Sequence, residues 1–490
     1  MTRSRTLKAR RIVGVLGSRT GKIGAAVVTT IAVGAAGLGV AIAGAAPGHP
    51  VPAVRGPGGL APVVAPAISA APGGLAIAEP RTGSGWTDHA LVVRVSGWKG
   101  ARAGCTAARS LPDTRSAAPG TGGCGTPQLA AAAPRGYSPA QLRAYLRLRG
   151  TGQGQRVVVV DAFDNPYAAR DITIFSKRFG LPLPCGKTAA TGCFRFSVVH
   201  PYGFGGADPG WALESDLDVQ MVHAIAPQAA ITLVEAYDNS LASMFRAVGY
   251  GAARRPAPAA ISNSWGLPEF SGETAFDRHC ALARSVCVVA AGDNGYPGTY
   301  PAYDPYALAV GGTHLELTRA GRVAAEQGWC CGPWPGHATG GGVSRYEPRP
   351  AYQAQASRYR GRGMPDVSFL ADPLTGVPVY DTFGVGGQNG WFQLGGTSVG
   401  APAWAGILAA AGQLRAAAGK APLGGAGLGA LSAIYGMRHG TGFGDITQGV
   451  DNLWACASPV QACQAHPGFD LVTGWGSPRP GIDTALAGVR

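Results

Sequence analysis

From Tyr137 onward the chain alternates short apolar runs with helical stretches, and this alternation restricts its fold more than any other feature. Val157–Asp161 is a continuous apolar run closed by an acid, as buried parallel strands often are. Ala230–Ala236, Ala259–Ser262, Val286–Ala291 and Ala307–Val310 read as further strands. Leu213–Ile225, Leu241–Ala253 and Thr274–Ala283 read as the helices between them. Ser138-Pro139-Ala140-Gln141 opens an earlier helix, with Ser at the N-cap and Pro in the first turn. The pattern implies an α/β fold with a mostly parallel central sheet flanked by helices.

The N-terminal part has a different character. Residues 1–45 read as an export signal. A basic segment up to Lys22 precedes an apolar stretch from Ile23 to Ala46, and Ala43-Gly44-Ala45 offers a small-residue cleavage site. Arg10-Arg11 is a weak twin-arginine signal, and an uncleaved membrane anchor is the alternative reading of this stretch. Residues 46–134 are rich in Ala, Pro and Gly and read as a pro-segment or linker, with Ala90–Trp98 its one strand-like run. Residues 135–490 form the main domain. The expected product is a secreted, extracellular protein with no stable membrane association after cleavage.

Charge excludes one class of partner. The formal balance is +14, but Arg3, Arg5, Lys8, Arg10, Arg11, Arg19 and Lys22 all lie in the leader. Without these seven, 34 basic residues face 27 acidic ones, a balance of +7. The remaining basic residues are scattered, with no aromatic-interleaved run of the kind that nucleic acid requires. The ten cysteines fit an oxidising compartment. They fall into Cys105/Cys124, Cys185/Cys193, Cys280/Cys287 and Cys456/Cys463, with Cys330 and Cys331 adjacent. Adjacent cysteines rarely bridge each other, so that last pair carries no assignment.

Three motifs carry chemistry. Gly395-Gly396-Thr397-Ser398-Val399-Gly400-Ala401-Pro402 precedes an Ala-rich helix, Ala403–Ala418. Small residues leave the Ser398 hydroxyl open, and a helix N-terminus favours developing negative charge. Glu214-Ser215-Asp216-Leu217-Asp218 places Glu214 and Asp218 four residues apart, on one helix face. Leu213, Leu217, Val219, Met221 and Ile225 crowd that segment, so the pair is expected to be buried and to share a proton. Asp216 points elsewhere and reads as structural. Ala290-Ala291-Gly292-Asp293-Asn294-Gly295 follows an apolar strand, and Asp293 can donate a hydrogen bond only when protonated.

Together the motifs resemble those of the sedolisins, serine-carboxyl peptidases with a subtilisin-like fold. Gly-Thr-Ser-x-x-x-Pro resembles the nucleophile motif that sedolisins share with subtilisins. Glu-x-x-x-Asp and Gly-Asp-x-Gly resemble the carboxylate pair and the oxyanion-hole segment of sedolisins alone. The resemblance implies a catalytic set of Ser398, Glu214, Asp218 and Asp293, working at acid pH on proteins or peptides. It further implies a zymogen that acts as a monomer. Ile261-Ser262-Asn263-Ser264-Trp265-Gly266 resembles the strand lining the substrate cleft, which makes Ser264, Trp265 and Gly266 substrate-binding. Asp445-Ile446-Thr447 and Pro467-Gly468-Phe469-Asp470 look like the family's single Ca2+ site. That resemblance implies the side chains of Asp445 and Asp470 and the carbonyls of Ile446, His466 and Gly468 as ligands.

Two other readings compete. A subtilisin-like peptidase needs a His base, yet Gly311 stands where His is required in Gly312-Thr313-His314, and Asp161-Ala162-Phe163 lacks the Asp-x-Gly pattern. His223 lies in a helix without an accompanying motif and reads as structural. The other competitor is an exported binding protein that keeps the fold without turnover.

Overall fold

A computed structural model of the 490-residue chain describes residues 134–186, 191–331, 337–385, 388–424, 428–437, 442–452 and 460–489, with three further strands nearer the N-terminus. Its centre is an eight-stranded sheet. In chain order the strands are β1 (Arg156–Ala162), β2 (Phe196–Val199), β3 (Ala230–Ala236), β4 (Ala260–Asn263), β5 (Val286–Ala290), β6 (Ala307–Leu317), β7 (Val323–Gly328) and β8 (Val367–Leu370). They lie in the order β7-β6-β5-β4-β1-β3-β2, and β8 pairs with β6. Every pairing is parallel except that of β6 with β7.

The continuous apolar runs follow from burial on both faces. Side chains alternate along a strand. Val157 and Val159 of β1 enter one apolar cluster, and Val158 and Val160 enter the other. Val288 and Val289 of β5 divide the same way. A strand with only one buried face would have shown alternating polarity.

Helices cover both faces. They are α1 (Pro139–Leu146), α2 (Ala168–Phe179), α3 (Pro209–Ile225), α4 (Leu241–Ala252), α5 (Thr397–Ala417), α6 (Gly429–Gly436) and α7 (Ile482–Gly488). At α1 the Ser138 hydroxyl accepts from the Gln141 N–H, and the Gln141 side chain accepts from the Ser138 N–H. Helix α3 is capped by Asp208, whose carboxylate accepts from the N–H groups of Gly210 and Trp211 at 2.9 and 3.1 Å. It has no polar face, because every residue from Trp211 to Ile225 is buried. It packs on α5, where a Cβ added at Gly406 would lie 2.8 Å from Ile225 Cβ. The small residues of α5 therefore set how closely the two helices approach.

Three sequence expectations need revision. Residues expected to form an α-helix at Thr274–Ala283 contain a 3-10 helix, Glu273–His279. Helix α5 begins six residues earlier than expected, at Thr397, and carries Pro402 inside it. Proline has no N–H to give the carbonyl four residues back, which here belongs to Ser398. The segment 46–134 contributes three strands rather than one, at Ala67–Ala71, Leu75–Glu79 and Val92–Val95. They extend the hairpin Val377–Val385/Gln388–Leu394, with Val92–Val95 paired to Gln388–Leu394.

Disulfides join Cys185 to Cys193 and Cys280 to Cys287. Cys330 and Cys331 are joined to each other, against the general rarity of such bonds. Cys331 adopts a left-handed conformation at this turn, with φ of 63°. Cys105, Cys124 and Cys456 lie outside the described residues, as do residues 1–45.

Candidate active site

The motif residues converge at the C-terminal ends of the parallel strands, where open α/β sheets place their sites. β4 leads into Ser264, β5 leads into Asp293, and β1 carries Asp161 as its last residue but one. Helix α3 brings Glu214 and Asp218 from above the sheet. Helix α5 brings Ser398 at its second residue, within the positive first turn.

Glu214, Asp218 and Asp161 form a buried group of carboxyls, none more than 1% exposed. Burial raises all three pKa values first, and the charges that add to the rise on Glu214 and Asp218 are other carboxylates. Glu214 and Asp218 stand well above their ordinary values, and Asp161 rises to about 7. An unpaired ionised carboxylate in this setting costs several kcal/mol. The group therefore titrates as a unit and shares what charge it carries.

Glu214 has a specific neighbour. The Ser398 hydroxyl is the one group that offsets its raised pKa. Neither Glu214 oxygen nor Ser398 Oγ makes a hydrogen bond of normal geometry among the described residues. A buried acid and a buried hydroxyl thus face one another with no competing partner.

Asp293 sits across the turn that carries Ser398. Its Oδ1 accepts from the N–H and the hydroxyl of Thr397, each at 2.7 Å. Its Oδ2 is buried without a hydrogen bond, and burial pushes the carboxyl up to about 7. Gly396 makes room for it. At φ of 109° a Cβ here would lie 2.5 Å from Asp293 Oδ2.

The segment after β4 is arranged differently from a simple cleft wall. Ser264 Oγ contacts both Asp218 oxygens, at 2.8 and 2.9 Å, so its side chain holds the acid pair. Trp265 is fully buried, donates its ring N–H to the Val160 carbonyl at 3.0 Å and packs on Phe245. Gly266 lies against Thr299, where an added Cβ would come within 2.6 Å of Oγ1. The side chains of Ser264 and Trp265 thus face inward, leaving only their main chain to meet a substrate. Asp161 was not among the sequence candidates, although its place as the acid closing the first apolar run was visible.

His223 is unsuited to act as a base. It is buried, stacked on Phe194, held by the Pro182 carbonyl, and pushed down to about 3 by desolvation. Asp216 joins Asp171 and Asp381 in a second buried acidic cluster.

Far along the chain, the two segments read as a metal loop meet. Gly468 N–H donates to Asp445 Oδ2 at 3.0 Å. Asp470 accepts from the N–H groups of His466, Val472 and Thr473. Its carboxyl is raised to about 6 by burial. A cavity of about 370 Å³ opens beside this loop, lined by Arg358, Tyr359, His466 and Asp470, and is not part of the Ser398 site.

Residues 208–422 match the subtilase family. Kumamolisin of Bacillus sp. (strain MN-32) is 32% identical over 377 residues, covering 71% of this chain and 63% of that protein. Sedolisin of Pseudomonas sp. (strain 101) is 38% identical over 130 residues, 24% of this chain and 21% of that protein. The chain is similar to the sedolisins over most of its length. Human tripeptidyl-peptidase 1 is also similar, at 30% identity over 215 residues, 39% of this chain and 33% of that one. The solved structure of Pseudomonas sedolisin, a serine-carboxyl proteinase complexed with two molecules of pseudo-iodotyrostatin, has the same fold. Its TM-score is 0.57 at 24% identity, covering 72% of this chain and 98% of that one. Against its curated relatives the chain spans 63% of kumamolisin and 33% of tripeptidyl-peptidase 1.

Proposed function

We propose that this chain is a secreted, acid-active serine-type peptidase of the sedolisin family that hydrolyses peptide bonds in proteins or peptides. One observation carries the reading. The Ser398 hydroxyl and the Glu214 carboxyl are buried side by side with no other hydrogen-bond partner.

The roles follow from position. Ser398 attacks the peptide carbonyl while Glu214 takes its proton. Asp218 and Asp161 share the proton and the charge with Glu214, and Ser264 holds Asp218 in place. The tetrahedral oxygen develops negative charge beside Asp293, whose protonated Oδ2 donates to it. When the leaving amine departs, Glu214 returns its proton to it. Water then repeats the sequence on the acyl-enzyme, with Glu214 again as base. Asp293 is charged above about 7, which restricts its donor form to lower pH.

The C-terminal loop is read as the site of one Ca2+. The donors are Asp445, Asp470 and the carbonyls of Ile446, His466 and Gly468, an all-oxygen set that suits a hard cation. The ion would supply charge neutralisation that ties the loop at Asp445 to the loop at Asp470. It takes no part in the chemical step. Residues 1–45 are read as the export signal, and no described helix is long and apolar enough to cross a membrane. The test is activity on a denatured protein by the purified chain, beside Ser398→Ala. Equal activity in both would remove the assignment.

A further inference from the structure

A third group of chemistry-bearing side chains lies at the same sheet edge and plays no part in the peptidase reading. Asp164 follows β1, His200 follows β2, and Glu235 lies in β3. Strand register builds the group, since Asp161 pairs with Glu235 across β1 and β3. Phe163, at φ of 62°, bends the chain out of β1 in a conformation that bulky residues rarely adopt. The next N–H, that of Asp164, is held by the Gly206 carbonyl at 2.9 Å.

The donor atoms converge. His200 Nε2 lies 2.8 Å from Asp164 Oδ1, and it also contacts Glu235 Oε2. One ligand atom from each residue falls within 4.8 Å of the others. Glu235 is 1% exposed, and its Oε2 is paired with His200 Nε2. Its Oε1 is already occupied by the Asn165 N–H at 2.8 Å. A buried carboxylate oxygen, an imidazole nitrogen and a second carboxylate thus converge on one point. Asp164 and His200 are partly exposed, at 23% and 17%, so the group opens to solvent on one side.

We propose that Asp164, His200 and Glu235 bind one divalent transition-metal ion, Zn2+ in the first instance. One imidazole and two carboxylates make a three-ligand set of the open kind, with a position left for water. Ca2+ would need six to eight oxygens, so the site differs in selectivity from the Asp445/Asp470 loop. Tetrahedral Zn2+ at about 2.0–2.2 Å from each donor holds the donors roughly 3.4 Å apart, so His200 must draw back from both carboxylates to admit the ion.

The bound ion acts on the helix that carries Glu214. Asn165 links the two places. Its N–H holds Glu235, while its side-chain amide donates to the Ala212 carbonyl at 3.0 Å and to Asp216 Oδ2 at 3.1 Å. Ala212 and Asp216 flank Glu214 on α3. The metal therefore ties the ends of three strands to that helix. The proposal does not depend on turnover.

The test is Zn2+ titration by calorimetry on the full chain carrying Ser398→Ala, in excess Ca2+, with Co2+ absorption as a second readout. One Zn2+ per chain is expected, with a visible Co2+ d–d band. Both should be lost when His200→Ala is added and kept when Asp445→Ala is added. Asp164→Asn, at a partly exposed position, repeats the test if His200→Ala does not fold, as judged by circular dichroism. Failure to take up Zn2+, or uptake unchanged in folded His200→Ala or Asp164→Asn, would show that the three side chains form only an ion-pair network.

Discussion

Asp293 Oδ1 takes both donors of Thr397, the residue immediately before Ser398. Asp293 is thereby fixed to the turn that carries Ser398, and only Oδ2 remains to carry a proton. Its pKa of about 7 means that the donor form is lost as pH rises through neutrality. Asp293→Ala should lower kcat/KM by about 10²–10³-fold below neutral pH, where the parent carboxyl is protonated, and by less above it. Asp293→Asn keeps an acceptor toward Thr397 and offers an amide N–H that does not titrate, so the alkaline limb should move upward. A limb that stays in place in Asp293→Asn would assign it to another group.

Gly396 stands between these two residues. Alanine there meets Asp293 Oδ2 at 2.5 Å and requires φ of 109°, which L side chains rarely adopt. Gly396→Ala should therefore cost activity on the scale of Asp293→Ala, with far-UV circular dichroism unchanged. Activity within threefold of the parent would show that the turn relaxes freely.

The cluster of Asp171, Asp216 and Asp381 predicts where the fold is most stable. Burial raises Asp216 well above its ordinary 3.8, and Asp171 and Asp381 add to the rise. Asp381 itself reaches about 6. Thr382 donors and the amides of Asn165 and Gln220 face this group, and Arg170 acts on Asp171. Acids with raised folded pKa values favour the folded state fully below their unfolded pKa, and that gain is lost as pH rises through the folded value. The melting temperature should fall between pH 4 and pH 7. Asp216→Asn should narrow that fall by raising the midpoint at pH 7 while leaving it nearly unchanged at pH 3. An equal shift at both pH values would mean that the effect is not one of ionisation.

The loop joining Asp445 to Asp470 should bind Ca2+ and stabilise the chain by mass action. At a concentration 100-fold above Kd, a ligand bound only by the folded state adds about 2.7 kcal/mol. Chelation should lower the melting temperature of Ser398→Ala measurably, and Asp445→Ala should remove that response. A chelator response that persists in Asp445→Ala would place the ion elsewhere.

The sequence revealed what is local. Continuous apolar runs identified the parallel strands because both faces of β1 and β5 are buried. The spacing of Glu214 and Asp218 placed two acids on one helical face. What it did not reveal depends on strand register. Asp161 joins the acid group because β1 ends beneath α3, and Ser264 reaches Asp218 from a different strand. Asp164, His200 and Glu235 come together from three strands, a juxtaposition that no spacing along the chain encodes. Trp265 was read toward the cleft because its motif borders one, but its indole completes the core against Phe245 instead.

The central claim is that Glu214, without a histidine, activates Ser398. The pH–rate profile of the full chain on a denatured protein substrate, beside Glu214→Gln and Ser398→Ala, tests it most directly. The account predicts a maximum at acid pH, loss of about 10²–10⁴-fold in kcat with Glu214→Gln, and no turnover with Ser398→Ala. A maximum at neutral or alkaline pH, with full activity in Glu214→Gln, would contradict it.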